Sequence, residues 1–162
     1  TRYRRSSRGL GDVYKRQLPD LTKFPQDVLA EISEYTSPRG TYFDAYPIHL
    51  LTTSWLEALA QKNSQSKFAA ERFRPNILIE GAEEGFAEQA WCGKHLKIGD
   101  VVFECQIPTV RCGMTTRATA GLSEDRQVLR TIVQESEQNV GCYANVGNGG
   151  NIQVGDDVEL FN

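Results

Sequence analysis

The chain has 162 residues, enough for one domain with a proper core and too few for two of ordinary size. Its net charge of −3 hides an asymmetry: residues 1–17 hold six of the 18 Lys+Arg and one of the 21 Asp+Glu, so residues 18–162 carry −8. An acidic body argues against nucleic-acid binding, which needs a basic face, and no apolar run reaches the roughly 20 residues that cross a membrane as a helix.

Residues 1–17 show neither helical nor strand periodicity and lack the apolar centre of a secretory signal. The run Gly9–Gln17 reads as adapter sequence, so residues 1–17 are set apart as a non-native or disordered basic segment. The domain is expected over 18–162, lacking its native N-terminal strands. A first helix is expected from Phe24, with Pro25 at a first helical position and Val28, Leu29, Ile32 and Tyr35 at helical spacing, stopped by Ser37-Pro38-Arg39-Gly40. Thr41–Leu51 is aromatic and β-branched, and Pro47 makes it an edge or bent strand rather than a central one. Ser54-Trp55-Leu56-Glu57 has the form of a capping box, which predicts a helix to about Lys62 with Leu56, Leu59 and Ala60 on one face.

Residues 72–80 predict a strand with Arg72, Arg74 and Asn76 on one face and Phe73, Ile77 and Ile79 on the other, Pro75 keeping Arg74 extended. Leu96–Asp100 leads through a tight Gly-Asp turn into a half-buried strand whose Val101, Phe103, Cys105 and Ile107 face inward. Leu122–Glu137 predicts a further helix, capped by Ser123, burying Leu129, Ile132 and Val133 and closing at Asn139-Val140-Gly141. Cys142–Val146, Asn151–Val154 and Asp157–Phe161 read as short strands, and Ile98-Gly99-Asp100 is echoed by Val154-Gly155-Asp156. The expected fold class is mixed α+β, mainly β: a small antiparallel β-barrel decorated by about three helices.

The four cysteines, Cys92, Cys105, Cys112 and Cys142, form no C-x-x-C, and His49 and His95 are the sole imidazoles, so neither a zinc ribbon nor a His-rich metal site is indicated. Reduced thiols in a cytoplasmic protein are the simplest reading. Cys92, Cys105 and Cys142 read as small buried hydrophobes, and Trp55 and Trp91 as packing residues. Cys112 stands apart: a soft thiolate beside Arg111, suited to a soft metal. In an extended backbone Arg111 would face away from it, which makes Arg74 the more useful cation. Arg74 and Asn76 together could grip a phosphate. Thr52 and Thr53 precede a helix whose free N–H groups attract an anion, so two phosphate cradles are expected to converge, although plain capping by the threonines is an equally good reading.

Several phrases, taken in order, resemble the MOSC domain, the module of molybdenum cofactor sulfurases and amidoxime-reducing molybdoenzymes: the run Thr41–Thr53, Arg72-Phe73-Arg74-Pro75-Asn76, Ile98-Gly99-Asp100, Arg111-Cys112, Thr115-Thr116, Asn139-Val140-Gly141-Cys142-Tyr143 and Val154-Gly155-Asp156. The resemblance implies that Cys112 binds molybdenum, completing a sphere of dithiolene sulfurs and oxo groups. It implies that Arg74 and Asn76 hold the phosphate of the molybdenum cofactor (molybdopterin), and that Thr52, Thr53, Arg111, Thr115, Thr116, Asn139, Gly141 and Tyr143 line or shape its pocket. Pyridoxal phosphate binding is a second family association. Thr109 departs from the family, some members having another cysteine there. The implied activity is oxidoreduction of small N-hydroxylated substrates. With no dinucleotide or iron–sulfur motif in the chain, electrons would come from an external donor, a flavin or iron–sulfur protein. The alternative is a non-catalytic module that holds the cofactor or carries sulfur as a persulfide on Cys112.

Overall fold

A computed structural model describes residues 45–81 and 85–162. The segment 1–17, the boundary at 18, the helix expected from Phe24 and the first four residues of the run 41–51 lie outside the described residues.

Chain order is β1 (Ile48–Thr52), α1 (Thr53–Lys62), α2 (Ala70–Phe73), β2 (Ile77–Ile79), a 3-10 turn over Ala87–Trp91, β3 (His95–Ile98), β4 (Val101–Val110), a 3-10 turn over Gly113–Thr116, α3 (Gln127–Ser136), β5 (Asn139–Asn148) and β6 (Val158–Phe161). Among the described residues the strands form one curled six-stranded sheet in the order β2-β1-β5-β4-β3-β6, a half-barrel carrying three helices, of the mixed α+β, mainly β class that the sequence predicts. All pairings are antiparallel except β1 with β2.

Two apolar clusters use the two faces of this sheet. Leu50, Trp91, Leu96, Phe103, Cys105 and Cys142 pack on one side. Leu51, Trp55, Leu59, Phe73, Val128 and Val140 pack on the other, under the helices. Adjacent Leu50 and Leu51 go to opposite clusters as strand alternation requires, each fully buried leucine stabilising the fold by roughly 1.5–3 kcal/mol. Val140 and Cys142, two residues apart, also go to opposite clusters. Between them Gly141 takes φ +85, and the β4–β5 register shifts opposite it between Pro108 and Val110, so a bulge reverses the alternation there. A Cβ at Gly141 would collide with the Leu50 carbonyl and the His49 ring.

Several expectations change. β1 is central, between β2 and β5, because Pro47 precedes it and leaves its ladder donors intact. The cap of α1 is Thr52, whose Oγ1 accepts from Trp55 N at 3.1 Å; Ser54 Oγ donates to the same oxygen. Residues 70–73 are helical and Arg74 is left-handed (φ 53, ψ 51), so no strand face joins Arg72, Arg74 and Asn76. Ile107 is exposed because a second β4–β5 irregularity falls between Cys105 and Ile107. α3 starts at Gln127, its first N–H bonded to Asp125 Oδ1 at 2.8 Å, and buries Val128, Thr131, Ile132 and Ser136 while Val133 is exposed. It ends on left-handed Glu137 and Gln138. Residues 151–154 form no strand, and the two Gly-Asp corners meet: a Cβ on Gly99 (φ +54) would strike Asp156 Oδ2 and Asn151 O.

Candidate functional site

Cys112 ends the β4 extension and opens the 3-10 turn Gly113–Thr116. Its carbonyl accepts from Thr115 N (3.2 Å) and Thr115 Oγ1 (3.0 Å), and Thr116 Oγ1 donates to Gly113 O (2.7 Å). Both threonine hydroxyls therefore hold backbone, and both threonines are buried. The thiol is free and exposed, at the edge of a cavity of about 360 Å3 that Met114, Thr116, Arg117, Glu124 and Arg126 also line. Glu124 lies 3.7 Å from Arg117 and 3.6 Å from Arg126, leaving one net positive charge in this wall.

Arg72 holds the turn from behind. The residue is 5% exposed, and its guanidinium donates to the carbonyls of Lys67 (2.9 Å), Thr115 (3.3 Å), Arg117 (3.3 Å) and Ser123 (2.9 Å). A planar fork with five donors suits such a fan of carbonyls, which a lysine could not span. On the other side, Gln138 grips the backbone of Arg111: Arg111 N donates to Gln138 O and Gln138 Nε2 to Arg111 O, each at 2.8 Å. The Arg111 side chain donates to Phe73 O at 2.9 Å and lies over the Phe73 ring, so it binds protein rather than reaching the thiol.

That contact joins the two sequence islands, since Phe73 immediately precedes Arg74. Arg74 is exposed at the end of α2. Asn76 is also exposed, with its backbone N donating to His49 O (2.9 Å) and its Oδ1 accepting from His49 N (2.8 Å), while no described residue accepts from its Nδ2. His49 is buried with Nε2 3.0 Å from Val140 O. Burial first and the Arg111 charge second push its pKa down to about 4. The neutral imidazole therefore donates from Nε2 to the Val140 carbonyl. Tyr143 is buried, stacked on Tyr46 and with the His49 ring tilted against it, and Asn139 Nδ2 donates to Glu137 O at 3.1 Å.

Thr52 is placed differently. It is fully buried, and its N–H donates to Glu88 Oε1 at 2.6 Å. Glu88 is itself fully buried, Oε2 has no partner, and burial pushes its pKa up against the lowering effect of the Thr52 hydrogen bonds. An internal carboxyl thus occupies the start of α1, with half-buried Thr53 next in the helix. Thr52 pairs with Ile79 while Asn76 lies level with His49, three residues along β1, or about 10 Å. The two expected phosphate cradles do not converge. The positioning roles of Arg72, Gln138, His49 and Glu88 went unread in the sequence because a buried charge or imidazole leaves no local pattern; the signals were the membership of Arg72 in the Arg-Phe-Arg-Pro-Asn phrase and of His49 in the run Thr41–Thr53.

Cys92, Cys105 and Cys142 are free thiols off the rim, with Cys105 and Cys142 buried, as expected, and Cys92 Sγ 4.0 Å from Cys142 Sγ. Burial raises the Cys92 pKa, and a hydrogen bond from Cys142 lowers that of Cys105. Among the described residues no group of three or more His, Cys, Asp or Glu could hold a metal ion. A metal at Cys112 would need the rest of its ligands from a cofactor.

Fold and rim together define a helix-decorated half-barrel presenting one exposed thiol beside paired guanidinium groups. The MOSC domain model matches residues 37–159, and the chain belongs to the MOSC domain family. It is 32% identical over 130 residues to mitochondrial amidoxime reducing component 2 of Rattus norvegicus, covering 72% of this chain and 37% of that protein. It is 33% identical over 160 residues to mitochondrial amidoxime-reducing component 1 of Homo sapiens, covering 90% and 42%. The chain thus spans about two-fifths of the length of these curated relatives. In fold it is similar to the YuaD protein of Bacillus subtilis (TM-score 0.59, 15% identity, 76% of this chain and 69% of that one). YiiM of Geobacillus stearothermophilus is similar too (TM-score 0.54, 16% identity, 72% and 55%). Among the described residues no helix is long and apolar enough to cross a membrane.

Proposed function

We propose that this chain is a molybdenum-cofactor-binding oxidoreductase domain that reduces small N-hydroxylated substrates, with Cys112 as the protein ligand of the metal. Membership of the MOSC family and likeness to two amidoxime-reducing components support a molybdenum-cofactor-associated domain. The observation that carries the finer reading is the free, exposed Cys112 on a cavity whose wall bears Arg117 and Arg126. The donor set fits the group: a soft thiolate for a sulfur-rich metal, and guanidinium groups for a phosphate. When bound, the cofactor supplies the two-electron centre for removing oxygen from nitrogen.

The chain's residues bind and position. Arg74 and the Asn76 Nδ2 are the proposed phosphate donors, both exposed: Arg74 follows Phe73, whose carbonyl Arg111 holds, and Asn76 is itself anchored by its backbone N and Oδ1 on His49. Arg111 and Thr115 act through the backbone on either side of Cys112, fixing the direction of its side chain. Tyr143 and Asn139 shape the wall, and Thr52 and Thr53 belong to the scaffold. His49 stays neutral above about pH 4 and serves as a fixed donor rather than a proton source. Reduction of an amidoxime to an amidine takes two electrons and two protons and releases water, so an external flavin or iron–sulfur protein is the proposed donor. Among the described residues no lysine lines the Cys112 cavity to form a Schiff base, so pyridoxal phosphate is not the ligand proposed. A reducing compartment, the cytoplasm in this reading, suits the four free thiols.

The exposure of a single thiol also favours a second reading, a carrier that holds sulfur on Cys112 as a persulfide. Metal analysis of the loaded chain beside its Cys112→Ala variant, with benzamidoxime and a chemical reductant, separates the two. The reductase loses molybdenum and turnover together on substitution. Equal molybdenum in both proteins removes the proposal, and transfer of labelled sulfur without turnover puts the carrier in its place.

A further inference from the structure

α3 buries Val128, Thr131, Ile132 and Ser136 on one side. At about 100° per residue, Arg126, Arg130, Val133 and Gln134 share the opposite side, and half-buried Leu129 sits at its boundary with the buried one. That side is not a plain solvated face. Val133 is 48% exposed with half-buried Leu129 one turn before it, and both line a cavity of about 440 Å3 together with Arg130. Gly113, Thr116 and Arg126 line this cavity and also the one beside Cys112, so the two are lobes of one groove. Gly113 stands on the wall the two lobes share, and a Cβ there would meet nothing within 4 Å.

The groove has a charge pattern as well as an apolar floor. Arg117, Arg126 and Arg130 line it beside one lining carboxylate, Glu124, which already bridges the first two. No described carboxylate pairs with Arg130. In a chain of net charge −3 this is a local excess of positive charge, where an anion gains from the field and from a bidentate guanidinium contact.

We infer that the groove along α3 is the substrate-recognition arm of the Cys112 site and takes a small organic acid, its aromatic or branched apolar body over Leu129 and Val133 and its carboxylate on Arg130. Binding of the acid stands on the groove alone; its role as substrate recognition rests on the proposed function. A neutral ligand of the same body would bury the apolar floor but leave Arg130 partly desolvated without a counter-charge, which is the source of the selectivity.

The test has two arms, both on the full chain. In the first, 4-phenylbutyrate and 4-phenylbutanol are titrated into the cofactor-free protein and followed by NMR. The acid is expected to bind about tenfold tighter than the alcohol, and Arg130→Glu, a surface change whose folding is checked by circular dichroism, removes that preference. No binding, equal binding of acid and alcohol, or a preference that survives Arg130→Glu overturns the inference. In the second arm the loaded protein is assayed with 4-carboxybenzamidoxime and benzamidoxime. The KM ratio of the two shifts about tenfold against the acid in Arg130→Glu, by the same loss of one charge-assisted contact. Turnover of both with an unchanged ratio sinks the inference and leaves the proposed function standing. Absence of turnover with either, beside intact binding in the first arm, sinks the proposed function and leaves the acid site.

Discussion

Thr52 at the start of α1 and Cys112 at the start of the 113–116 turn both read in the sequence as places to hold a phosphorylated cofactor, and the fold treats them in opposite ways. At Thr52 the donor is consumed inside the protein: Glu88 accepts its N–H, and its own hydroxyl caps the helix. At Cys112 the internal hydrogen bonds run to backbone carbonyls, from Arg72, Gln138 and Thr115, and the thiol stays exposed. A motif becomes a binding site where the scaffold satisfies itself without using the functional side chain. A helix N-terminus is no anion site once an internal carboxyl sits on it.

The largest effect that would break this comparison is at Arg72. Arg72→Met strands four carbonyls now bonded to the guanidinium, and is expected to cost about 3–5 kcal/mol in urea denaturation. Amide exchange at Thr115 and Arg117 should speed up, because their donors close the same turn. A loss under about 1 kcal/mol would mean that the turn holds itself without Arg72.

His49 comes next. Its folded pKa is about 4 against 6.5 unfolded, so the neutral ring contributes stability fully present above pH 6.5 and lost as the pH falls to about 4. That loss amounts to about 3 kcal/mol, and His49→Gln should flatten it in denaturation curves taken at pH 7 and pH 4.5.

On the Thr52 side the sign reverses. Burial raises the Glu88 pKa, so its protonated form contributes stability present below the ordinary carboxyl value and lost as pH rises through the raised one. Glu88→Ala is expected to cost about 2 kcal/mol by stranding Thr52 N–H, whereas Glu88→Gln keeps an acceptor and gains on the native chain with rising pH. Thermal melts of the three proteins across that range check both directions, and a Gln variant that lags further at high pH would show that the carboxylate is the form the helix start prefers.

The smallest change in stability belongs to Cys112→Ser, within about 0.5 kcal/mol, since the side chain is exposed. Alkylation mapped by mass spectrometry should mark Cys112 in the native chain while Cys105 and Cys142 stay protected by burial. Equal labelling of all four would erase the contrast between rim and core.

Much of this was legible along the chain. The Gly99-Asp100 hairpin, the inward stripe of Val101, Phe103 and Cys105 and the end of α1 at Lys62 followed from period and turn chemistry alone. The misreadings fall where a local pattern met a non-local partner. Arg72 to Asn76 alternates like a strand, but Phe73 packs under α3 and Arg72 reaches carbonyls more than 40 positions away, which favours a helical turn and a left-handed Arg74. Ile107 and Val133 look inward on an ideal period and are exposed, Ile107 because a bulge turns it out and Val133 because α3 packs the face of Val128, Thr131 and Ile132 inward instead. Cys112 and the Arg74–Asn76 island were singled out by the chemistry of their side chains and by the family resemblance of the phrases that hold them; the distance between Thr52 and that island was not legible.

The sequence alone determined the family and a helix-decorated, mainly β fold, and it singled out Cys112, because turn residues, strand alternation and a motif in order are local or additive signals. Tertiary structure decided which donors remain open to a ligand. Whether a hydroxyl, amide or guanidinium is free depends on which residue the fold brings opposite it. For Thr52 that is Glu88, 36 positions away, and for Arg72 it is Ser123, 51 positions away, and no spacing along the chain encodes either.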